Sequence, residues 1–504
     1  MGSLHWADLA VLVLYVGGVL WIGWIANRRQ KTAEDYYLGG RRMAWWAIGI
    51  SILANSYSAT SLVGGTGMGY GSGFLFLQRQ LGDLVGFSLV AVLFLPFFSR
   101  LGLTSAYEYL EKRFGVVART FGSLLFLGQT LLRAGLLIHA PAYALAGILG
   151  WSMDTAILVA SGVSIVYCAL GGLEADVWTD VVQLAVIVLG IAISLVLIVS
   201  DVGSVGRIAG EAASSGKLAP IRVAADPRGA DNLVWVLLAY STVALAVQGT
   251  NQQSVQRYMS CRNLAGARRA AMSGWAIGVA TTILTLAFGV ALSVWSTAVP
   301  GAMPEGMKQD AAFGTFLKHR VPPGLAGLLV AAVFAAAMSS IDSAIQSMST
   351  ATIVDFVKRF RKRPLEGRTE LRLARTLTGL FGLAAAGIAL YAAHESSGMA
   401  LLDLMVTWIG YFAGPLLGLF LLGMLTRRAN QKGAVTGAVV AFACVALLVV
   451  AEPKEGYAFH ALWFAPFGLA ATFVVGLSAS CFFPEPPREK LAGLSLRDPD
   501  ESSA

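Results

Sequence analysis

The sequence predicts an all-α polytopic membrane protein, and three observations support this. Of its 504 residues, 56% are hydrophobic and only 13% are charged, whereas an ordinary soluble domain has about 25% charged residues. The apolar residues fall into stretches of about 20, the length that a helix needs to cross the hydrocarbon core. The alternating ten-residue segments of a membrane β-barrel are absent from the sequence. Four cysteines spread widely along the chain also exclude a disulfide-rich secreted protein.

About thirteen apolar stretches are long enough to be membrane spans. Within a few residues they cover 7–26, 43–70, 81–99, 120–149, 154–171, 177–200, 233–257, 271–297, 322–355, 374–393, 398–426, 433–451 and 460–483. We expect residues 1–483 to form one transmembrane domain and 484–504 a polar cytoplasmic tail.

The basic residues predict the orientation in the plasma membrane. With the N-terminus outside and the C-terminus in the cytoplasm, most of the 37 Lys and Arg residues fall in inner connections. This agrees with the positive-inside rule. One of these inner groups is Arg257, Arg262, Arg268 and Arg269. The net charge of +8 is therefore explained by topology and does not indicate a nucleic-acid partner.

Two predicted spans look interrupted. The second has a polar run at 55–61 followed by glycines at 64, 65, 67 and 69, and the seventh has a polar run at 248–253. A broken helix in lipid is tolerated where its free backbone groups line a cavity or meet a ligand. Two such segments five spans apart favour a transporter built from inverted repeats. The alternative is that the small residues only allow close helix packing.

The repeats would cover about 43–200 and 233–426. The peripheral helices would then be 7–26, 433–451 and 460–483.

The ninth span has a face of oxygen-bearing residues. Ala336, Ser339, Ser340 and Ser343 share one side of a helix, with Asp342 beside them. Oxygen-only ligands suit a hard cation. The alternative is that the serines bond back to carbonyls of their own helix, which leaves Asp342 unexplained. A second carboxylate, Asp180, begins another apolar segment, where an interfacial acid at a helix N-terminus is the alternative.

Arg133 lies deep in the fourth span, at a depth where a charged residue needs a partner. That partner could be a carboxylate such as Asp403, backbone oxygens or an anionic substrate. The five histidines have no metal-binding spacing, and HExxH, GxSxG and Walker motifs are absent from the sequence. We therefore expect no enzyme activity.

Several segments together resemble the sodium:solute symporter family, and they extend over most of the chain. They are Lys31–Gly40, Thr104–Phe114, Gly171–Gln183, Gln253–Tyr258, Ala335–Ser340 and Gly414–Pro415. The resemblance implies the fold of the bacterial leucine transporter, with two inverted five-helix repeats and added peripheral helices.

The resemblance also implies binding residues. A main sodium site would use the carbonyls of Ala54, Tyr57 and Ala336 and the hydroxyls of Ser339 and Ser340. A second sodium site would use Asp180, Asp342 and Ser343, where Asp342 replaces a serine of the family's sialic acid branch. The substrate pocket of that branch matches Ser56, Ser58, Ser61, Phe76, Gln80 and Arg133, although Ala59 replaces a hydroxyl residue.

We therefore expect a sodium-coupled symporter that imports a small organic solute by alternating access. Arg133 favours an anion bearing a carboxylate, such as a sialic acid or a monocarboxylate. Transport of a neutral sugar or amino acid is an alternative. A transporter-like sensory protein is another, but it would need an output module larger than the tail. Expected partners are the solute, Na⁺ as coupling ion and the lipid bilayer, with no nucleic acid, obligate protein partner or other cofactor.

Overall fold

The described part of the chain is helical. The computed structural model describes residues 5–496 except 224–231, 302, 305–306, 308, 366, 395–400 and 452–462. Within these residues, extended backbone pairs only in one isolated bridge, between Met43 and Cys261. The α-helices are α1 (Trp6–Arg29), α2 (Ala33–Leu38), α3 (Trp45–Ser56), α4 (Ala59–Ser72), α5 (Arg79–Leu89), α6 (Leu95–Leu101), α7 (Glu108–Arg113), α8 (Val116–Leu149), α9 (Met153–Val202), α10 (Val205–Ser214), α11 (Leu233–Gly249), α12 (Gln252–Met259), α13 (Leu264–Ala298), α14 (Ala312–His319), α15 (Leu325–Ala351), α16 (Lys358–Phe360), α17 (Gly367–His394), α18 (Leu401–Leu425), α19 (Gln431–Ala451) and α20 (Phe464–Ser480).

The described residues contain 8 helical stretches that are long and apolar enough to cross a membrane. Three shorter apolar helices accompany them, within α11, α18 and α20. The 50-residue helix α9 is interrupted at Gly172 (φ 54°, ψ −155°), between two of the predicted spans. The prediction of an all-α membrane protein is confirmed, whereas the number thirteen and the inverted repeats stay predictions.

Helix α15 lies at the centre of the molecule. It packs against α1, α8, α9 and α17, and nearly all of its residues are buried. Alanine and serine make up much of α15, and such small side chains let neighbouring helices approach closely. In helices α1 and α17 most residues are exposed or only partly buried, as expected of helices at the periphery of the molecule. The oxygen-bearing face of α15 is therefore in the protein interior.

The second predicted span is broken in its middle. Helix α3 ends at Ser56 and α4 begins at Ala59, while Tyr57 (φ −97°, ψ 92°) and Ser58 (φ −89°, ψ 172°) are extended. The Ser58 hydroxyl caps the backbone N–H of Ser61, whose own hydroxyl accepts from the Ser58 N–H. The break thus leaves carbonyls at the end of α3 without helical partners.

The glycines of α4 have a separate role. Gly69 packs directly on the backbone of α13 at Leu286, and Gly289 of α13 packs on the backbone of α4, so neither position has room for a Cβ atom. A helix break and close helix packing therefore both occur in this span, at different residues. The polar residues form the break, and these glycines allow close packing.

The seventh predicted span is also broken. Helix α11 ends at Gly249, and Asn251 caps α12 by accepting a hydrogen bond from the Gln253 N–H at 2.9 Å. Every residue of α12 is buried, including Arg257, whose exposed fraction is 1%. The expectation that Arg257 belongs to a basic inner loop is therefore wrong, because this residue forms ion pairs in the protein interior.

Candidate functional site

Three of the five groups expected at the main sodium site are adjacent. The Ser339 hydroxyl donates to the Ala54 carbonyl at 3.0 Å and to the Ala336 carbonyl at 3.1 Å. Ala54 lies in the last turn of α3, and Tyr57 follows in the extended segment, so the helix break contributes carbonyls close to α15. The result is a buried cluster of oxygen atoms between α3 and α15.

Ser340 and Arg133 share one acceptor at this break. The Ser340 hydroxyl donates to the Asn55 carbonyl at 3.1 Å, and Arg133 Nη2 donates to the same oxygen at 3.2 Å. Ser343 does bond back to its own helix, because its hydroxyl donates to the Ser339 carbonyl at 2.7 Å, so that interpretation of the serines is correct for Ser343. It is not correct for Ser340. Ser340, which is expected at the main sodium site, and Arg133 thus contact the same carbonyl.

Arg257 organises a second buried cluster. Its guanidinium contacts Asp176 at 2.6 Å and Asp180 at 3.4 Å, and its Nε donates to the Ser51 hydroxyl at 2.7 Å. It also donates to the Ser343 hydroxyl. Asp180 is fully buried, so the alternative of an interfacial acid does not apply. Two of the residues expected at a second sodium site, Asp180 and Ser343, thus meet at one guanidinium.

The Asp342 carboxylate is not part of the cluster around Arg257. Both of its carboxylate oxygens are buried without a hydrogen-bond partner among the described residues. Ser164 of α9 lies beside this carboxyl group, and Tyr15 of α1 lies nearby. The three residues expected at a second sodium site therefore fall into two groups. One remaining oxygen of Asp180, Oδ1, is also buried without a described partner.

Arg133 lies at the middle of α8 and is half-buried. Besides the Asn55 carbonyl, it donates to Gln253 Oε1 at 3.5 Å. No carboxylate lies within ion-pair distance of Arg133 among the described residues, and the side chain of Asp403 lies outside them. Next to this guanidinium, Asn55 Oδ1 and Gln253 Nε2 are buried with no hydrogen-bond partner in the described chain.

The two helix breaks meet at Ser56, which is exposed although it lies between buried residues at the centre of its span. Its hydroxyl accepts from Gln248 Nε2 at 3.4 Å, and Gln248 Oε1 accepts from the Tyr258 hydroxyl at 3.2 Å. An exposed hydroxyl at this depth indicates a cavity that water can enter. Ser56 and Arg133 therefore lie at a polar region formed by both breaks.

The other expected pocket residues have different contacts. Ser58 and Ser61 cap α4, as described above. Gln80 Nε2 donates to the Thr282 hydroxyl at 2.9 Å, and the Phe76 ring lies 4.4 Å from the guanidinium of Arg79. Residues of the two breaks therefore connect Ser56 with Arg133. Among the described residues, the other four form no hydrogen bond with Arg133.

The polar runs at 55–61 and 248–253 include Asn55, Gln248 and Gln253, but the sequence assigned no contact to these three residues. Arg257 was assigned to an inner loop, and Asp176 was not singled out. Asp176 carried a visible signal, since it lies four residues before Asp180 and the two residues face the same way on a helix. Within the described chain, no cluster of His, Cys, Asp and Glu could hold a metal through those side chains. Hydroxyl and carbonyl oxygens are instead the main candidates for binding a cation.

Comparisons with known proteins show which family this chain resembles. The model of the sodium:solute symporter family matches residues 36–441. The chain is 30% identical over 483 residues to the sodium/sialic acid symporter SiaT of Proteus mirabilis, covering 95% of each chain. It is 31% identical over 430 residues to human sodium-coupled monocarboxylate transporter 1, covering 83% of this chain and 68% of that protein.

A solved structure extends the comparison to the fold. It is the substrate-bound, outward-open state of a Na⁺-coupled sialic acid symporter. The two folds superpose with a TM-score of 0.85 at 27% identity, over 95% of this chain and 98% of the other. The chain belongs to the sodium:solute symporter family, whose members are sodium-coupled transporters rather than enzymes.

Proposed function

We propose that this symporter imports a carboxylate-bearing organic anion, such as a sialic acid or a small monocarboxylate, and that Arg133 binds the carboxylate. The observation that carries the proposal is the state of Arg133. It is a cation at the middle of a membrane helix, and its two hydrogen-bond acceptors in the described chain are both neutral. A charge at this depth is costly without an opposite charge, which an anionic substrate would supply.

The groups around Arg133 support this choice. Gln253 Nε2 is a buried donor that has no partner among the described residues, and a carboxylate could accept hydrogen bonds from it and from the guanidinium. A guanidinium binds a carboxylate through two parallel bonds, a geometry that lysine does not reproduce. Sialic acids and monocarboxylates, which the relatives are named for, both carry this group. Ser56 and Gln248 would face the rest of the solute, while Ser58, Ser61, Phe76 and Gln80 would form its surroundings.

The oxygen cluster at the break fits sodium. We propose that the carbonyls of Ala54, Tyr57 and Ala336 and the hydroxyls of Ser339 and Ser340 hold the main coupling ion. Carbonyl and hydroxyl oxygens are the ligands that a hard cation prefers. A bound sodium would supply positive charge between α3 and α15. Because Ser340 and Arg133 donate to the same Asn55 carbonyl, reorientation of the serine toward sodium would change the contacts of the arginine.

The charge of the solute makes a second sodium important. One sodium and a monoanion together move no net charge, so a tenfold sodium gradient supplies about 1.4 kcal/mol and a roughly tenfold accumulation. A second sodium adds a similar amount and one net charge, worth about 2.3 kcal/mol at 100 mV. We propose that Asp180, Asp342 and Ser343 provide this second site, which requires Asp342 to move toward the other two from its separate position in this structure. Asp180 Oδ1 and both Asp342 oxygens have no described partner and could accept the ion.

The proposed topology places the N-terminus outside and the C-terminus in the cytoplasm, in the plasma membrane. Repeats at about 43–200 and 233–426 would each begin with a broken helix. The meeting of Ser56 with Gln248 and of Arg133 with Gln253 at the two breaks supports this arrangement.

Thermal-shift titration tests the proposed substrate class. Purified protein in sodium is titrated with N-acetylneuraminic acid, small monocarboxylates, galactose and proline. We expect stabilisation by a carboxylate-bearing anion and its loss in Arg133→Lys. Arg320→Lys is the matched control, because Arg320 pairs with Asp201 away from the breaks. Stabilisation by galactose or proline that persists in Arg133→Lys would contradict the proposal.

A further inference from the structure

A basic cavity lies at the N-terminal end of α3, opposite the end at which that helix is broken. It has a volume of about 620 Å³, within the range of sites for small organic ligands, roughly 300–1,000 Å³. Its walls come from the C-terminal end of α1, the segment before α3 and the part of α9 that follows Gly172. The charged and aromatic residues that line it are Arg28, Arg29, Lys31, Arg42, Glu174 and Trp178.

The buried carboxylate of Glu174 distinguishes this cavity from an ordinary basic surface. The positive-inside rule accounts for exposed arginines and lysines at the end of a span, but not for a buried acid among them. Glu174 Oε1 accepts from Arg29 at 3.3 Å, whereas Oε2 is buried without a hydrogen-bond partner among the described residues. A buried carboxylate oxygen without a donor is costly. The cavity therefore suits a ligand with both an anionic group and a hydrogen-bond donor of positive charge.

Exposed tryptophans near the cavity indicate its depth in the membrane. Trp24, Trp45 and Trp46 are more than two-fifths exposed, and the ring of Trp46 meets that of Trp178 edge-on at 5.7 Å. Arg28 lies over the Trp24 ring at 3.7 Å. Exposed tryptophans and adjacent basic residues are typical of the level of lipid headgroups. A ligand at this level is most readily a lipid, whose acyl chains remain in the bilayer.

We propose that the cavity binds the headgroup of an aminophospholipid of the phosphatidylethanolamine type. The phosphate contacts the arginines and Lys31, and the primary ammonium donates to Glu174 Oε2. Arg42 pairs with Asp35 at 3.2 Å and Arg29 with Glu174 at 3.3 Å, so Arg28 and Lys31 leave the lining with an excess of positive charge. Charge complementarity selects this occupant, because the excess positive charge matches the phosphate and the Glu174 carboxylate matches the ammonium. This site is independent of the proposed transport function.

Delipidated protein in mixed micelles tests the proposal. The thermal midpoint and the lipid adducts in native mass spectrometry are measured with phosphatidylethanolamine, phosphatidylcholine, phosphatidylglycerol and soluble phosphoethanolamine. Phosphatidylcholine keeps the phosphate but its trimethylammonium has no N–H donor. We expect phosphatidylethanolamine to bind about tenfold more tightly than phosphatidylcholine, the effect of one charge-assisted hydrogen bond.

Two variants distinguish the contacts of the ammonium from those of the phosphate. Glu174→Gln should abolish the preference for phosphatidylethanolamine over phosphatidylcholine, and Arg42→Gln should weaken all three phospholipids. Lys362→Gln, which removes an exposed base outside the cavity, should change nothing. A retained sodium-induced shift of the thermal midpoint verifies that each variant is folded.

Three results would overturn the proposal. The first is equal binding of phosphatidylethanolamine and phosphatidylcholine by the wild type. The second is an unchanged preference in Glu174→Gln. The third is soluble phosphoethanolamine binding as well as the lipid, which would replace the lipid by a soluble ligand.

Discussion

Replacing Ser340 by alanine separates sodium binding from folding. In the folded protein, Ser340 contributes one neutral hydrogen bond to the Asn55 carbonyl, worth about 1 kcal/mol. That carbonyl keeps Arg133 as a donor at 3.2 Å, so the variant leaves no buried acceptor unpaired. At the sodium site, by contrast, the hydroxyl is one of five proposed ligands of a full positive charge. A contact to a charged group contributes about 1.5–3 kcal/mol, a roughly 10- to 150-fold effect on affinity.

The assay is a sodium titration of the thermal midpoint of the purified protein without substrate. We expect Ser340→Ala to raise the half-saturating sodium concentration at least about tenfold while the midpoint without sodium falls by only a few degrees. Ser349→Ala is the matched control, because this buried serine also bonds to another helix, at Ala374 O, which keeps Thr378 as a second donor. An unchanged sodium dependence in Ser340→Ala, or an equal change in Ser349→Ala, would refute the reasoning.

Three further predictions concern charged residues. Asp180→Asn should reduce the Hill slope of sodium binding from near two to one, whereas a wild-type slope of one would remove the second site from the proposal. Arg257→Gln leaves Asp176 and Asp180 buried without their cation and should destabilise the protein by about 3–5 kcal/mol. An unchanged thermal midpoint would contradict that role. Burial alone raises the pKa of Glu111, but hydrogen bonds from Arg119 and a second arginine hold it below its usual value. A lowered pKa stabilises the folded state above the usual carboxylate range, and this contribution is lost as the pH falls toward the lowered value. The wild type should therefore lose more thermal stability than Glu111→Gln between pH 7 and pH 4, and parallel losses would contradict the assignment.

The helix break at Tyr57 could be predicted from the sequence, because hydroxyl-bearing residues followed by glycines are poor helix formers. The oxygen-bearing face of α15 could also be predicted, since residues three and four apart share a side of a helix. Asn55 could not be singled out in this way. Its contribution is a backbone carbonyl, an atom that every residue has, and only the arrangement of α3 beside α8 and α15 makes it an acceptor for Arg133 and Ser340.

The local sequence pattern around Arg257 was insufficient to predict its ion pairs. Counted by position in the chain, it belongs with the basic residues that follow the seventh span. Its partners Asp176 and Asp180 are 81 and 77 residues away, and their meeting depends on how α9 and α12 pack. Asp342 and Ser343, which the resemblance assigns to one sodium site, differ for another reason, which is helix geometry. Spacing along α15 places Asp342 next to Ser343 in sequence, but their side chains leave the helix about 100° apart.

We propose that a sodium gradient drives uptake of a carboxylate-bearing anion through a site that contains Arg133. Uptake of radiolabelled N-acetylneuraminic acid, lactate, galactose and proline into proteoliposomes, with an inward gradient of sodium or of potassium, tests it most directly. We predict accumulation of at least one of the two carboxylate anions with sodium and not with potassium, and its loss in Arg133→Lys but not in Arg320→Lys. Accumulation of galactose or proline alone, or uptake that is equal with potassium, would contradict the claim.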